Sequence, residues 1–207
     1  MLKPDSVLRK VIGETLEKYR PIRQDEVKKK ELGARRTEEL EIPRLSMSYT
    51  DDYEEMKDLN KNAMAPFYIG KDYTGKKNET EFIKYIESKD VDWWYKNGDY
   101  GSEHFSISYY DDVEKKEKLF YPDWIIKIKN VILILDTKQG LSGTVGSPDT
   151  KRKAEALQKW IKERNEKESK FKGGIIASIS GIWKINYNDE YKVDANYSEW
   201  KDLSEIL

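Results

Sequence analysis

The chain has no cysteine and a single histidine, His104, among its 207 residues. The first absence excludes disulfides and cysteine-ligated zinc or iron–sulfur sites, and the second excludes any site needing two imidazoles. A bound metal would therefore be held by oxygen, which points to Mg2+, Mn2+ or Ca2+. No apolar run approaches the roughly 18 residues of a membrane span. The opening stretch MLKPDSVLRKVIGETLEK lacks the apolar core and cleavage site of a signal peptide, so a cytoplasmic protein with no membrane partner is expected. Charge of one sign is also missing: the formal net charge is −1, so the whole-molecule balance carries no nucleic-acid signature. Folding could still segregate the 38 Lys and Arg into a local basic surface. What is abundant is charge itself, at 37%, equal to the hydrophobic fraction; this implies a real core with a charged appendage or a face that meets a charged partner.

The first third is the charged part. Leu8, Val11, Ile12, Thr15, Leu16 and Tyr19 recur at helical spacing until Arg20-Pro21 interrupts. ELEIPRLSMSY (39–49) reads as an edge or bulged strand because of Pro43. DDYEEMKDLNKNAM reads as a short helix and linker. We take 1–65 as an extension or connector and 66–207 as the main domain. There, ETEFIKYIESKD predicts a helix with Phe82, Ile83 and Ile86 as its apolar stripe. The aromatic cluster WWYK and a Gly-rich turn follow, and then FSISYY alternates as a half-buried strand. LFYPDWIIKI and VILILDTK read as two strands joined by a tight turn at Lys129-Asn130. Beyond the loop QGLSGTVGS, Pro148-Asp149 opens a helix with Ala154, Leu157, Trp160 and Ile161 on its apolar face. GGIIASIS and GIWKINY supply further strands, and YSEWKDLSEIL a short closing helix. Helix, three strands, helix, strand is an α/β order with a mixed sheet.

One stretch, FYPDWIIKIKNVILILDTKQG, could carry chemistry. Side chains alternate along a strand, so Asp136 and Lys138 share a face while Thr137 points to the other. If the hairpin turns near Asn130, Asp123 falls opposite Asp136 or Thr137, with strands about 4.8 Å apart. Two buried carboxylates so close would drive one to protonate unless they shared a divalent cation. Two acids, a metal and a lysine suit phosphodiester hydrolysis, the metal lowering the pKa of bound water and the lysine handling residual charge. The plainer alternative for Asp-x-Lys is a strand end meeting solvent. A further acid could come from the first helix at Glu81, which also reads simply as a glutamate favoured by the helix dipole.

The acid-bearing helix, the hairpin with Pro-Asp and Asp-x-Lys, the basic helix and the strand together resemble the PD-(D/E)XK nuclease superfamily. Over about residues 66–190, the stretches WWYKNG, FYPDWIIK, ILILDTKQG and TKRKAEALQKWI resemble the C-terminal nuclease domain of type III restriction subunits and related DEAD/DEAH-box helicase–nucleases. The resemblance implies a restriction-endonuclease-like αβββαβ core, a mixed central sheet flanked by helices. It implies a Mg2+-dependent DNA endonuclease, with Mn2+ as a substitute. Asp123 and Asp136, with the Thr137 carbonyl and Glu81, would ligate the ion, and Lys138 would be the catalytic lysine. Asp136 stands where many members carry glutamate, so its shorter arm has to sit closer to the metal. Gln139, Lys151 and Lys153 would contact DNA. Double-stranded DNA, an upstream helicase domain and a methyltransferase subunit are the implied partners. The chain itself has no motor motif, and its glycine-rich loop lacks the Gly-Lys-Ser/Thr of a nucleotide site, so a fragment or separately encoded piece is expected. Two alternatives stand beside this: another enzyme of the superfamily, such as a repair nuclease or junction resolvase, and a catalytically silent DNA-binding or scaffold module.

Overall fold

The computed structural model describes residues 51–71, 76–99, 104–139, 145–167 and 170–207. The helix expected over 8–19, the strand expected over 39–49 and most of the 139–147 loop lie outside them.

The aliphatic run VILILDT forms β7 (Val131–Thr137), the centre of a six-stranded sheet. Antiparallel to it runs β6 (Trp124–Ile128), which pairs in turn with β3 (Trp93–Lys96). On its other side β8 (Phe171–Ile179) runs parallel, followed by antiparallel β9 (Ile182–Asn186) and the short β10 (Lys201–Asp202). Five pairings hold this sheet, and only β7–β8 is parallel; its crossover is the helix α2 (Pro148–Asn165). The molecule is thus mixed α/β, with a mostly antiparallel sheet and, among the described residues, two α-helices. No described helix is long and apolar enough to cross a membrane.

Both faces of β7 are covered, so its residues are apolar without alternation. On one face lies α1 (Lys76–Glu87). Its Phe82, Ile83 and Ile86 are fully buried against Trp94, Trp124, Leu133, Leu135 and Trp183. Phe82 stands 5.0 Å from the Trp124 ring and 4.9 Å from that of Trp183. Burying a ring of this size contributes about 2–3 kcal/mol. The other face carries α2, whose Thr150, Ala154, Leu157 and Ile161 are buried. Ser147 caps α2, its hydroxyl accepting from the Thr150 N–H at 3.1 Å, with Pro148 in the first turn.

Four sequence expectations change. Tyr53–Met56, expected as helix or linker, is strand β1, paired with β2 (Phe67–Gly70) in a hairpin that straddles residues 65 and 66. Its polar sequence, YEEM, forms a largely exposed ribbon and buries too little to show a period. FSISYY is β4 (Ile107–Asp111), but it pairs with β5 (Lys116–Phe120) in a separate two-stranded sheet. LFYPDWIIKI is therefore not one strand: Tyr121-Pro122-Asp123 breaks it, and β5 and β6 enter different sheets. The closing segment forms β10 and a short 3-10 turn at Leu203–Glu205, not an α-helix.

Close backbone approach explains Gly173 and Gly174 in β8. A Cβ on Gly173 would lie 1.9 Å from the Ile134 carbonyl oxygen, and one on Gly174 2.2 Å from that of Asn186. Gly173→Ala should accordingly cost about 3 kcal/mol. Gly146→Ala, where nothing lies within 4 Å, should stay within about 0.5 kcal/mol. Urea unfolding of the two variants checks the contrast.

Candidate active site

The β6–β7 register sets the site. Trp124 pairs with Leu135, so the next position places Asp123 beside Asp136 at the end of the hairpin. Asp123 Oδ2 accepts from the Thr137 N–H at 2.7 Å, as the hairpin geometry predicts. The Lys138 ammonium lies against Asp136 Oδ2, joining the two residues that alternation assigned to one face. Asp136 is buried, whereas Lys138 keeps a narrow exposed edge.

A second pair approaches from the α1 face. The Lys96 ammonium donates to Asp123 Oδ1 at 3.0 Å and lies 3.4 Å from Glu79 Oε1. Its stem crosses the Trp124 ring, with the ammonium 5.2 Å from the centroid. Asp123 thus joins two half-sites: Asp136 and Lys138 on the α2 side, Glu79 and Lys96 on the α1 side.

Of the first-helix acids, Glu79 reaches this cluster and Glu81, expected there, does not. The Glu81 side chain is 51% exposed and sits 4.0 Å from Lys77 on the outer face of α1. Helical spacing explains the difference. Glu79 lies three and four residues before Phe82 and Ile83, hence on the buried stripe, while Glu81 follows Lys77 and precedes Lys84 on the exposed one. The same reasoning applied to sequence alone would have selected Glu79. Lys96 was missed as well, although strand alternation puts it on the face of the core residue Trp94.

The residues after Lys96 hold Asp123 in place. Asn97 is buried, and its side-chain amide donates to the carbonyls of Phe105 (2.8 Å) and Pro122 (2.9 Å). Its backbone N–H donates to the Asp123 carbonyl at 2.7 Å. Gly98 leaves room for His104, since a Cβ there would stand 2.3 Å from the ring. His104 is half-buried with Nδ1 3.3 Å from the Tyr95 hydroxyl. WWYKNG therefore supplies core (Trp94), a site cation (Lys96), a clamp (Asn97) and a gap (Gly98).

The expected DNA contacts diverge. Lys153 is paired with Asp149 at 2.7 Å on the site side of α2, and Asp149 also accepts from the Tyr109 hydroxyl at 3.0 Å. Arg152 is taken up by Asp111 and Asp112 of the β4–β5 hairpin. Lys151 projects outward, 3.7 Å from Glu155, and Gln139 is exposed at the strand end.

Electrostatics follow from burial. Desolvation pushes the Asp136 carboxyl up to about 6; Lys138 and Lys153 oppose the rise and the Asp123 charge adds to it. Burial disfavours the Lys96 ammonium, but Asp123, Glu79 and Asp99 more than offset this and hold its pKa above the usual lysine range. Lys138 is held up likewise, burial being outweighed by Asp136 and Asp123. The donor set fits a hard divalent cation: Asp136 is buried, and its carboxyl stays shifted upward by desolvation although Lys138 lies against its Oδ2, so its charge is only partly compensated. Among the described residues no three His, Asp or Glu side chains converge as a complete metal cage. Asp123 and Asp136 would hold the ion, with the Thr137 carbonyl and water or substrate oxygens completing its shell.

No protein-family model, curated protein or solved structure matches the chain.

The sign of the pH dependence follows. The folded pKa of Asp136 lies above the ordinary 3.8, so its protonation favours the fold below about pH 4 and that contribution is lost as pH rises through about 6. A divalent ion, if bound at Asp123 and Asp136, would replace the proton at higher pH. Mn2+ at a hundredfold excess over Kd should add about 2.7 kcal/mol, raising Tm by roughly 5–10 °C at pH 7.5. The gain should shrink by up to about tenfold in affinity per pH unit below 6 and vanish in Asp136→Asn. Scanning calorimetry across pH measures both.

Proposed function

We propose that the chain is a divalent-metal-dependent DNA endonuclease domain of the PD-(D/E)XK type, the cutting module of a type III-like restriction subunit. One observation carries the reading: Asp123, Asp136 and Lys138 meet at one end of the β6–β7 hairpin. Two features add support. The order α1, β3, β6, β7, α2, β8 is compatible with the αβββαβ arrangement of a restriction-endonuclease-like core, and Glu79 approaches from the helix that would supply its first acid.

Within this reading each side chain has a defined task. The metal, when bound, polarises a phosphodiester and lowers the pKa of a water molecule. Asp123 and Asp136 hold the positive charge at the strand end, with Asp123 fixed by the Thr137 N–H. Lys138 faces the same point as Asp136; its ammonium neutralises charge gathering on the phosphate oxygens and orients an attacking water. Gln139, next to Lys138, and the exposed Lys151 at the start of α2 suit contacts to the DNA backbone, and Lys153 can exchange Asp149 for phosphate. A helicase motor and a methyltransferase subunit that supplies sequence recognition are the partners implied, and the cytoplasm is the compartment.

Incubation of linear and supercoiled duplex DNA with Mg2+ or Mn2+ tests the reading. Asp136→Asn and Lys138→Met should each lower cleavage by at least about a hundredfold, since each removes a charge needed in the transition state. Glu79→Gln should lower it by about tenfold or more, while Glu81→Gln, on the outer face of α1, should stay within about twofold. Unchanged cutting by Asp136→Asn would reject the assignment. Duplex binding without metal-dependent cutting by the wild type, supplied with a helicase partner, would leave a DNA-binding module instead.

A further inference from the structure

Lys96 fills the space between two carboxylates of the site. Its ammonium lies between two carboxylates, 3.0 Å from Asp123 Oδ1 and 3.4 Å from Glu79 Oε1, with its side chain only 16% exposed. Three constraints hold it there. Strand β3 pairs with β6, so that Lys96 lies opposite Trp124. The Trp124 ring supports the ammonium, and its indole N–H is itself fixed by the Thr137 hydroxyl at 2.7 Å. Asn97 locks the backbone immediately after Lys96 to Asp123. The position is built into the sheet.

A divalent ion bridging Glu79 and Asp123 would need the same gap. It could not share it, since an ammonium and a divalent ion held a few ångströms apart in a partly buried gap repel one another strongly. Either the lysine or the ion occupies the space, and the lysine is covalently fixed. On the other side of Asp123 the arrangement differs: the Lys138 ammonium lies against Asp136 alone, so no lysine bridges Asp136 and Asp123 as Lys96 bridges Glu79 and Asp123.

We propose that Lys96 is a built-in second cation that limits the site to one divalent ion, bound on the Asp123–Asp136 side. Lys96 also borders a cavity of about 400 Å³ between β3 and the β1–β2 hairpin, lined in addition by Asn62, Phe67, Asn97 and His104. The inference rests on the metal-dependent reading above and refines it: Lys96 is a positioning residue for Asp123 and the determinant of metal number.

Mn2+ is the probe, counted by isothermal titration calorimetry and by electron paramagnetic resonance on the full chain at pH 7.5. The wild type should bind one Mn2+ per chain. Lys96→Gln, which leaves Glu79 and Asp123 without their shared cation, should bind two; Lys96→Arg should keep one. The double variant Lys96→Gln/Glu79→Gln should return to one. Two ions in the wild type would overturn the proposal, as would one ion in a folded Lys96→Gln. No Mn2+ bound to the wild type would instead overturn the metal-dependent reading itself, and the inference with it. Should Lys96→Gln not fold, as judged by circular dichroism, the wild-type count decides between one ion and two.

Discussion

The pairing of Trp124 with Leu135 is the contact on which the rest depends. Both residues are fully buried on the α1 face, and each anchors its strand in the aromatic and aliphatic cluster around Phe82. A slip of one residue would turn Trp124 and Ile126 out of that cluster and exchange the faces of every β6 side chain. The hydrophobic core thereby enforces the register, and the register brings Asp123 beside Asp136. Packing energy on the α1 face thus fixes the geometry of charges that could not assemble by themselves. Left alone, two neighbouring carboxylates would move apart or one would take up a proton.

The same logic explains which parts of the molecule can be read from the chain. The β6–β7 hairpin was legible because a buried strand is an uninterrupted aliphatic run, a tight turn separates it from its partner, and alternation then dictates which residues share a face. Helix α2 and strands β8 and β9 were legible for similar reasons. The β1–β2 hairpin was not, because YEEM is a mostly exposed ribbon whose residues carry no apolar period. The break between β5 and β6 was hidden because Leu119, Phe120, Trp124 and Ile125 are apolar on both sides of it, although they belong to different sheets. Only Pro122 hinted at the interruption. Glu79 and Lys96 were available to periodicity, but charged residues on a buried stripe look like exceptions until a partner is found for them. Each is the other's partner across a sequence distance that no local pattern expresses: one comes from a helix and one from a strand.

Charged residues at other positions serve the frame more than the site. Glu87 ends α1 by accepting from the Trp94 indole at 2.6 Å and from the backbone of Asn60 and Lys61, tying the β1–β2 connection to the sheet. Asp111 is buried and anchors Lys118 and Arg152, so the β4–β5 hairpin is held to α2 by charge as well as by the contact of Phe105 with Trp160. Much of the high charge content is thus consumed inside the domain. Arg152, held by Asp111 and Asp112, is accordingly not available to a ligand.

At the site the balance differs. Glu79, Asp123 and Asp136 bring three carboxylates against the two ammoniums of Lys96 and Lys138, and Asp149 with Lys153 adds a neutral pair. With every group ionised the cluster is one positive charge short of neutral, and burial of Asp136 is the place where that shortage is felt. On the nuclease reading, a single divalent ion would turn the deficit into an excess of one positive charge, the complement of one phosphodiester. A second divalent ion would carry the excess to three, which buried side chains of fixed geometry could not spread into solvent. Lys96 keeps the count at the lower value because it is tethered and cannot be lost by dilution or chelation. The electrostatic demand of the substrate, and not only the space between two carboxylates, then favours a lysine at this position.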